Sequence, residues 1–223
     1  MEKHEFFERE IQLIQSEDYR DFVRWYFDTC VGAWFWKSGA SSSGKYHPQF
    51  TKGEGGLVKH TRAVVMVCDE LLRMSSYAYM KAEFKDYAIM ACLLHDTNKY
   101  GAQDEEDKDC YKDHGAIAAE SVNNAWRVFF SEPAPELLKM AIRSHMGQWV
   151  EDKEDRPFTN IDRLVHLSDY IASRPFWDIP QLNEEYIADR GQEIEDNLTA
   201  SRKNDWLNNP DVIRLFFNAM EGE

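Results

Sequence analysis

Paired thiols, a membrane-length apolar run and a surplus of positive charge are all missing from this 223-residue chain. Its four cysteines (Cys30, Cys68, Cys92 and Cys110) are widely spaced with no C-x-x-C pair, which argues against a zinc ribbon or a disulfide framework. Cys68 and Cys92 lie in apolar stretches and read as small core residues. The longest apolar run, Ala88–Leu94, is far too short to span a bilayer. The start, MEKHEFFERE, is charged and lacks the h-region of a signal peptide. No membrane contact and a cytoplasmic location are the simplest expectation. Lys and Arg total 26 against 40 Asp and Glu, a formal charge of −14. Such a surface repels a phosphate backbone and disfavours broad nucleic-acid binding. A small phosphorylated substrate stays compatible, provided metal ions supply the positive charge inside its site.

Strand signals are missing too. No alternating β-branched run of convincing length occurs, no repeat period is visible, and the acidic stretch Asp104–Asp109 lacks EF-hand spacing. What is there is helical periodicity, with an apolar content of 43% that suffices for a packed core. From residue 2 to about 36, Phe6, Phe7, Ile11, Ile14, Phe22, Val23, Trp25 and Tyr26 form one or two apolar stripes. Ser38–Gly44 reads as a Gly/Ser loop leading into Lys45-Tyr46-His47-Pro48 and the glycine-rich stretch 53–56. Backbone of that kind beside a His and a Lys can cradle a phosphate. A helix from Leu57 to near Arg73 carries His60 in its first turns. Helices follow over Asp86–His95, from His114 to about Phe129, from Pro135 to His145, and from a cap at Thr159 or Asn160 past Asp169. Beyond Pro175, helical stretches are expected at 184–198 and 210–220. The fold class is all-α.

The pattern centres on Met90–Gly101. Ala88–Leu94 is apolar all round, which suits a buried helix. Yet that helix ends in His95-Asp96, with Lys99 three residues on. Groups so buried need compensation, and a divalent cation is the simplest source of it. Taken alone, the dipeptide is better read as a satisfied core histidine beside a helix-ending aspartate. The other histidines decide the matter. His60, His95-Asp96, His114, His145 and Asp169 each fall at or near a predicted helix end, where helices can converge on one cavity. Imidazole and carboxylate without thiolate suit Mn, Fe, Co, Ni or Zn better than a structural zinc site. One aspartate amid such a set can bridge two ions about 4 Å apart, which together activate a water and hold a phosphoryl oxygen.

The order His60…His95-Asp96…Asp169 resembles the signature of the HD-domain phosphohydrolase superfamily, helical metal-dependent enzymes acting on phosphate esters and anhydrides. Gly55–Thr61 (GGLVKHT) is similar to the GGL-x-x-HT opening of many members, and Leu93–Lys99 (LLHDTNK) to their LLHDIGK core. His114–Glu120 and Leu167–Ala172 also fit. Thr97-Asn98 departs from the common Ile-Gly, which is expected to alter the shape beside Lys99 and leave the metals alone. The resemblance runs over roughly Lys45–Arg174 and implies a compact helical HD-domain bundle. We read residues 1–223 as a single domain: N-terminal helices and loop over 1–44, the HD core over 45–174, and a C-terminal helical extension over 175–223.

The resemblance implies one divalent ion on His60, His95, Asp96 and Asp169, with Asp96 bridging to a second on His114 and His145. Mn, Fe, Co, Ni, Zn and Mg are all admissible identities. Asp96 and Lys99 are the catalytic residues it implies, the Lys99 ammonium being directed at the substrate phosphate or the attacking water. Lys45, His47, Arg62 and Arg174 are candidate phosphate or ribose contacts. His166, three residues before Asp169, shares its helix face. The expected reaction is hydrolysis of a phosphoester or phosphoanhydride bond in a small nucleotide substrate, since the His114 and Ser168–Arg174 blocks look like those of two-metal dinucleoside-polyphosphate hydrolases. A 3′-to-5′ exonuclease on single-stranded RNA or DNA is the second reading. Lys45–Leu57 resembles the entry to the HD domain of certain bacterial exoribonucleases, but no OB-type domain is legible. A non-catalytic metal-bound regulatory module is the third, and it would be favoured had a ligand or Lys99 been lost. A homo-oligomer is compatible with the sequence.

Overall fold

Nothing in the run Ala88–Leu94 favours contact with water, and in the computed structural model the other helices enclose it. Residues 2–41, 47–101, 110–150 and 152–175 are described. They belong to one unit, Met1–Asp178; the second unit, Ile179–Glu223, and with it the helices expected at 184–198 and 210–220, lies outside the described residues. In order the elements are a 3-10 turn (Lys3–Phe7), α1 (Glu8–Ile11), α2 (Glu17–Thr29), α3 (Ala33–Lys37), a 3-10 turn (Gln49–Thr51), α4 (Gly56–Leu72), α5 (Ser75–Ala78), α6 (Ala82–Leu94), α7 (His114–Phe130), α8 (Glu136–Arg143), 3-10 turns at Gly147–Trp149 and Lys153–Asp155, and α9 (Asn160–Ala172). The described chain is all-α, without a strand.

Helix α6 packs against α4, α8 and α9 at once, and every residue from Asp86 to Leu94 is buried. Burying Met90, Leu93 and Leu94 contributes roughly 1.5–3 kcal/mol each. Helix α4 also lies along α9, and α8 lies along α7 and α9. The ends of these helices therefore meet around the C-terminus of α6. Helix α9 starts at a capping box: the Thr159 hydroxyl accepts from the Asp162 N–H, and the Asp162 carboxylate accepts from the Thr159 N–H. Two glycines let α4 start where it does. Gly55 is left-handed (φ +70°), and a Cβ on Gly56 would lie 2.0 Å from the Thr51 carbonyl oxygen.

The N-terminal stripes are interrupted. The stretch expected to be helical from residue 2 to about 36 breaks at Gln12–Ser16, where Asp86 draws in the backbone. Its buried carboxylate accepts from the Gln15 N–H at 2.8 Å and the Ser16 N–H at 3.0 Å. Phe7, Ile11, Ile14, Phe22, Val23 and Tyr26 are buried as expected, whereas Phe6 is 47% exposed because its neighbour Phe7 takes the inward position. Phe22 of α2 then meets Trp126 of α7 at 4.8 Å between ring centroids.

Candidate metal centre

Five segments of chain bring four imidazoles and two carboxylates together. His60 sits in the second turn of α4, His95 caps α6 with Asp96 next to it, His114 opens α7, and Asp169 lies in the last turn of α9. His145 differs from expectation: it lies two residues past the end of α8, not on it. The left-handed Gly147 (φ +64°) turns the chain just beyond. Close helix approach makes the pairing of His114 with His145 possible, since a Cβ on Gly115 would lie 2.8 Å from the Arg143 carbonyl oxygen.

The donor atoms converge. His60 Nε2 is 3.0 Å from Asp169 Oδ1 and 3.9 Å from Asp96 Oδ2, and His95 Nε2 is 3.4 Å from Asp96 Oδ2. His114 Nε2 and His145 Nε2 lie 3.0 and 3.5 Å from Asp96 Oδ1, and 3.1 Å from each other. Donor atoms of His60, His95 and Asp96 all lie within 4.8 Å of one another, as do those of Asp96, His114 and His145. All five side chains are buried, and Asp169 is 18% exposed.

Three of the rings are held alike. The Nδ1–H of His95 donates to the Cys92 carbonyl at 2.8 Å, that of His114 to Tyr111 at 2.6 Å, and that of His145 to Ile142 at 2.7 Å. Each acceptor is the carbonyl three residues earlier, which holds a proton on Nδ1 and turns Nε2 inward. Several of the inward atoms have no aligned hydrogen-bond partner: His60 Nε2, His95 Nε2 and Asp96 Oδ1 are buried and unsatisfied. Orphaned polar atoms on buried imidazoles and carboxylates are costly, and their chemistry fits a cation.

Charge in the pocket follows from burial and from Asp96. Burial pulls His60 below the usual imidazole value, takes His145 down to about 4 and His47 to about 3. Burial opposes a positive charge on His95 and His114 as well, but Asp96 outweighs it, raising His95 and bringing His114 up to about 9. Burial also works against ionising Asp96, and Lys99 first, then His95, hold it well below the usual carboxylate range. Asp169 is held down in the same way, chiefly by His60.

Lys99 Nζ donates to Asp96 Oδ2 at 2.7 Å. It also lines a cavity of about 510 Å³, together with His47, His145, Met146, Trp149, Asp169, Ser173 and Arg174. The His47 ring stands 5.2 Å from that of His60, with Nδ1 buried and unpaired. Of the other expected substrate contacts, Arg174 is on the cavity wall. Lys45 lies outside the described residues. Arg62 is not in the cavity lining: two residues past His60 it points around α4 to the far side, where its Nε pairs with the buried Glu10 at 3.1 Å. The Thr97-Asn98 departure is accommodated by donation from the Thr97 hydroxyl to the Leu94 carbonyl, with the Tyr26 hydroxyl 3.5 Å away.

Trp149 and Tyr170 were passed over in the sequence. The signal was present as a spacing of four, in His166, Tyr170 and Arg174, and in Trp149 following His145. His166 itself holds the site from outside, its Nδ1–H donating to the His145 carbonyl at 2.7 Å.

The HD domain family pattern matches residues 57–174, just over half of the chain, beginning at Leu57 rather than at Lys45 and ending at Arg174. No curated protein and no solved structure matches the chain. Among the described residues, no helix is long and apolar enough to cross a membrane.

Proposed function

The chain belongs to the HD domain family, and on that premise we propose that it hydrolyses a phosphoester or phosphoanhydride bond of a nucleotide-type substrate at a two-ion centre. Members of the family are generally metal-dependent hydrolases. One observation carries the reading: the two oxygens of Asp96 face different sets of imidazoles, Oδ2 towards His60 and His95, Oδ1 towards His114 and His145. A carboxylate so divided suits a bridging ligand. His60, His95, Asp96 and Asp169 would hold one ion; Asp96, His114 and His145 would hold the other. Divalent ions bound there supply an activated water and neutralise charge on a phosphoryl oxygen.

The chain's own residues orient and stabilise. Lys99 donates one N–H to Asp96 and, among the described residues, has two left for a phosphate oxygen, countering negative charge as it develops. His47, uncharged at neutral pH, stands on the cavity wall beside His60 and adds no charge there. Arg174 adds a fixed positive charge on the wall. An acidic protein with this cavity suits a small substrate gripped from within.

The test is chromatographic detection of the hydrolysis products, nucleoside, nucleotide or phosphate, formed from a panel of nucleotides and from short single-stranded RNA by the full chain loaded with Mn²⁺. Asp96→Ala is expected to lose most of its metal by elemental analysis and all measurable turnover. Full activity of that variant on every substrate would overturn the assignment.

A further inference from the structure

We infer that Trp149, Tyr170 and Arg174 form a stacking subsite for the planar base of the substrate, an inference that rests on the hydrolase reading above. The Trp149 and Tyr170 rings are nearly parallel, 11° apart in plane with centroids at 6.0 Å. The Arg174 guanidinium lies 4.2 Å over the Tyr170 ring. Trp149 and Arg174 line the same cavity as Lys99 and Asp169.

Both aromatic rings are left open to solvent, Trp149 at 50% and Tyr170 at 38% exposure, although the chain has a large aromatic core in which to bury such residues. They are also held in place. His166, one turn before Tyr170 on α9, bonds the His145 carbonyl. Its ring fills the space that a Cβ on Gly147 would occupy, at 2.1 Å, so the turn carrying Trp149 is clamped to α9. Arg174 is fixed by donation from Nε to the Tyr170 carbonyl at 3.0 Å and from Nη2 to the Ser173 hydroxyl at 3.2 Å. Pre-ordered aromatic and guanidinium faces bind planar rings with little loss of side-chain freedom.

The order of features matches the order of groups along a nucleotide. Buried ligands and Lys99 stand at the floor where the phosphate belongs, and the open rings stand at the rim where the base belongs. Every nucleobase has a π-face, so the subsite selects for a base over none and discriminates weakly among bases.

The experiment is calorimetric binding to the Mn²⁺-loaded full chain of two hydrolysis-resistant probes, the methylenephosphonate analogues of adenosine monophosphate and of ribose 5-phosphate. The adenosine probe is expected to bind about tenfold tighter or more, the scale of one base–aromatic stack. Trp149→Ala should remove most of that difference and leave the ribose probe unchanged, while Trp149→Phe keeps most of it. Equal binding of the two probes to the parent chain would overturn the subsite, as would equal weakening of both by Trp149→Ala. If hydrolysis of nucleotides is intact while the probes bind equally, the subsite alone fails. If neither probe binds and no nucleotide is hydrolysed, the hydrolase reading fails and takes the subsite with it.

Discussion

Adding one methyl group at Gly115 tests whether the α7–α8 contact sets the second half of the metal centre. The new Cβ would lie 2.8 Å from the Arg143 carbonyl oxygen and 3.1 Å from the His145 ring, against the 3.4 Å at which ordinary contact begins. The shortfall against the backbone oxygen is 3.4 − 2.8 = 0.6 Å, and a carbonyl at the end of a helix cannot swing aside as a long side chain can. His114 and His145, whose Nε2 atoms are 3.1 Å apart, sit on the two sides of that contact. Metal–ligand distances tolerate about 0.2 Å, so a displacement three times that size moves His145 away from the ion that His114 and Asp96 would share. Gly115→Ala is therefore expected to bind close to one equivalent of metal, against the two proposed for the parent, measured by elemental analysis after dialysis against trace Mn²⁺. Hydrolysis should fall by about 10–100-fold, the usual cost of disturbing what orients a ligand. Overpacking of this kind costs about 1–3 kcal/mol, a Tm decrease on the order of 2–10 °C for a domain of this size. Parent-level metal content with unchanged turnover would refute the reasoning, because the helices would then have absorbed the methyl group without moving His145.

Lys99→Ala should retain both ions yet lower kcat by about 10²–10³ on whichever nucleotide proves best, with KM changing less; an unchanged kcat would reduce Lys99 to a partner of Asp96. Asp86→Ala leaves the Gln15 and Ser16 N–H groups without their buried acceptor and is expected to cost about 1–3 kcal/mol, seen as a lower urea midpoint with metal content unchanged. Loss of metal in that variant would show that the N-terminal segment shapes the site. The Arg24 hydrogen bond holds Glu8 down to about 2, below its ordinary 4.5. Because the folded value is the lower one, the stabilisation is present above pH 4.5 and fades as the pH falls towards 2. The pair is partly exposed and is worth under about 1 kcal/mol. The urea midpoints of the parent and of Glu8→Gln should thus differ at pH 6 and draw together as the pH falls from 4.5 towards 2; a constant gap would exclude this linkage.

Residues that act through their own helix were legible beforehand. The apolar run ending at His95-Asp96 had to be buried, because no face of it suits water. Thr159 as a cap, Gly55-Gly56 before α4 and Lys99 beside Asp96 are short-range relations, decided by spacing and backbone conformation. Arg62 shows the limit of that reading: a basic residue two positions past His60 is expected to contact phosphate, but its turn of helix faces Glu10. Phe6 and Phe7 show the same limit, since which of two adjacent phenylalanines turns inward depends on the break at Gln12–Ser16.

The amino-acid sequence alone determined the helical class, the identity of the HD signature and the residue types able to hold divalent ions, since hydrophobic period and donor chemistry are properties of the chain itself. Tertiary structure decided what distances between separate helices decide: that Asp96 turns one oxygen to each pair of imidazoles, that Gly115 lets His114 reach His145, and that His166 clamps the turn bearing Trp149 against Tyr170. Apart from that of Asp96 with its neighbour His95, those contacts join segments about eighteen or more residues apart, so they depend on how the helices cross and where their ends stop. No local pattern encodes that by itself.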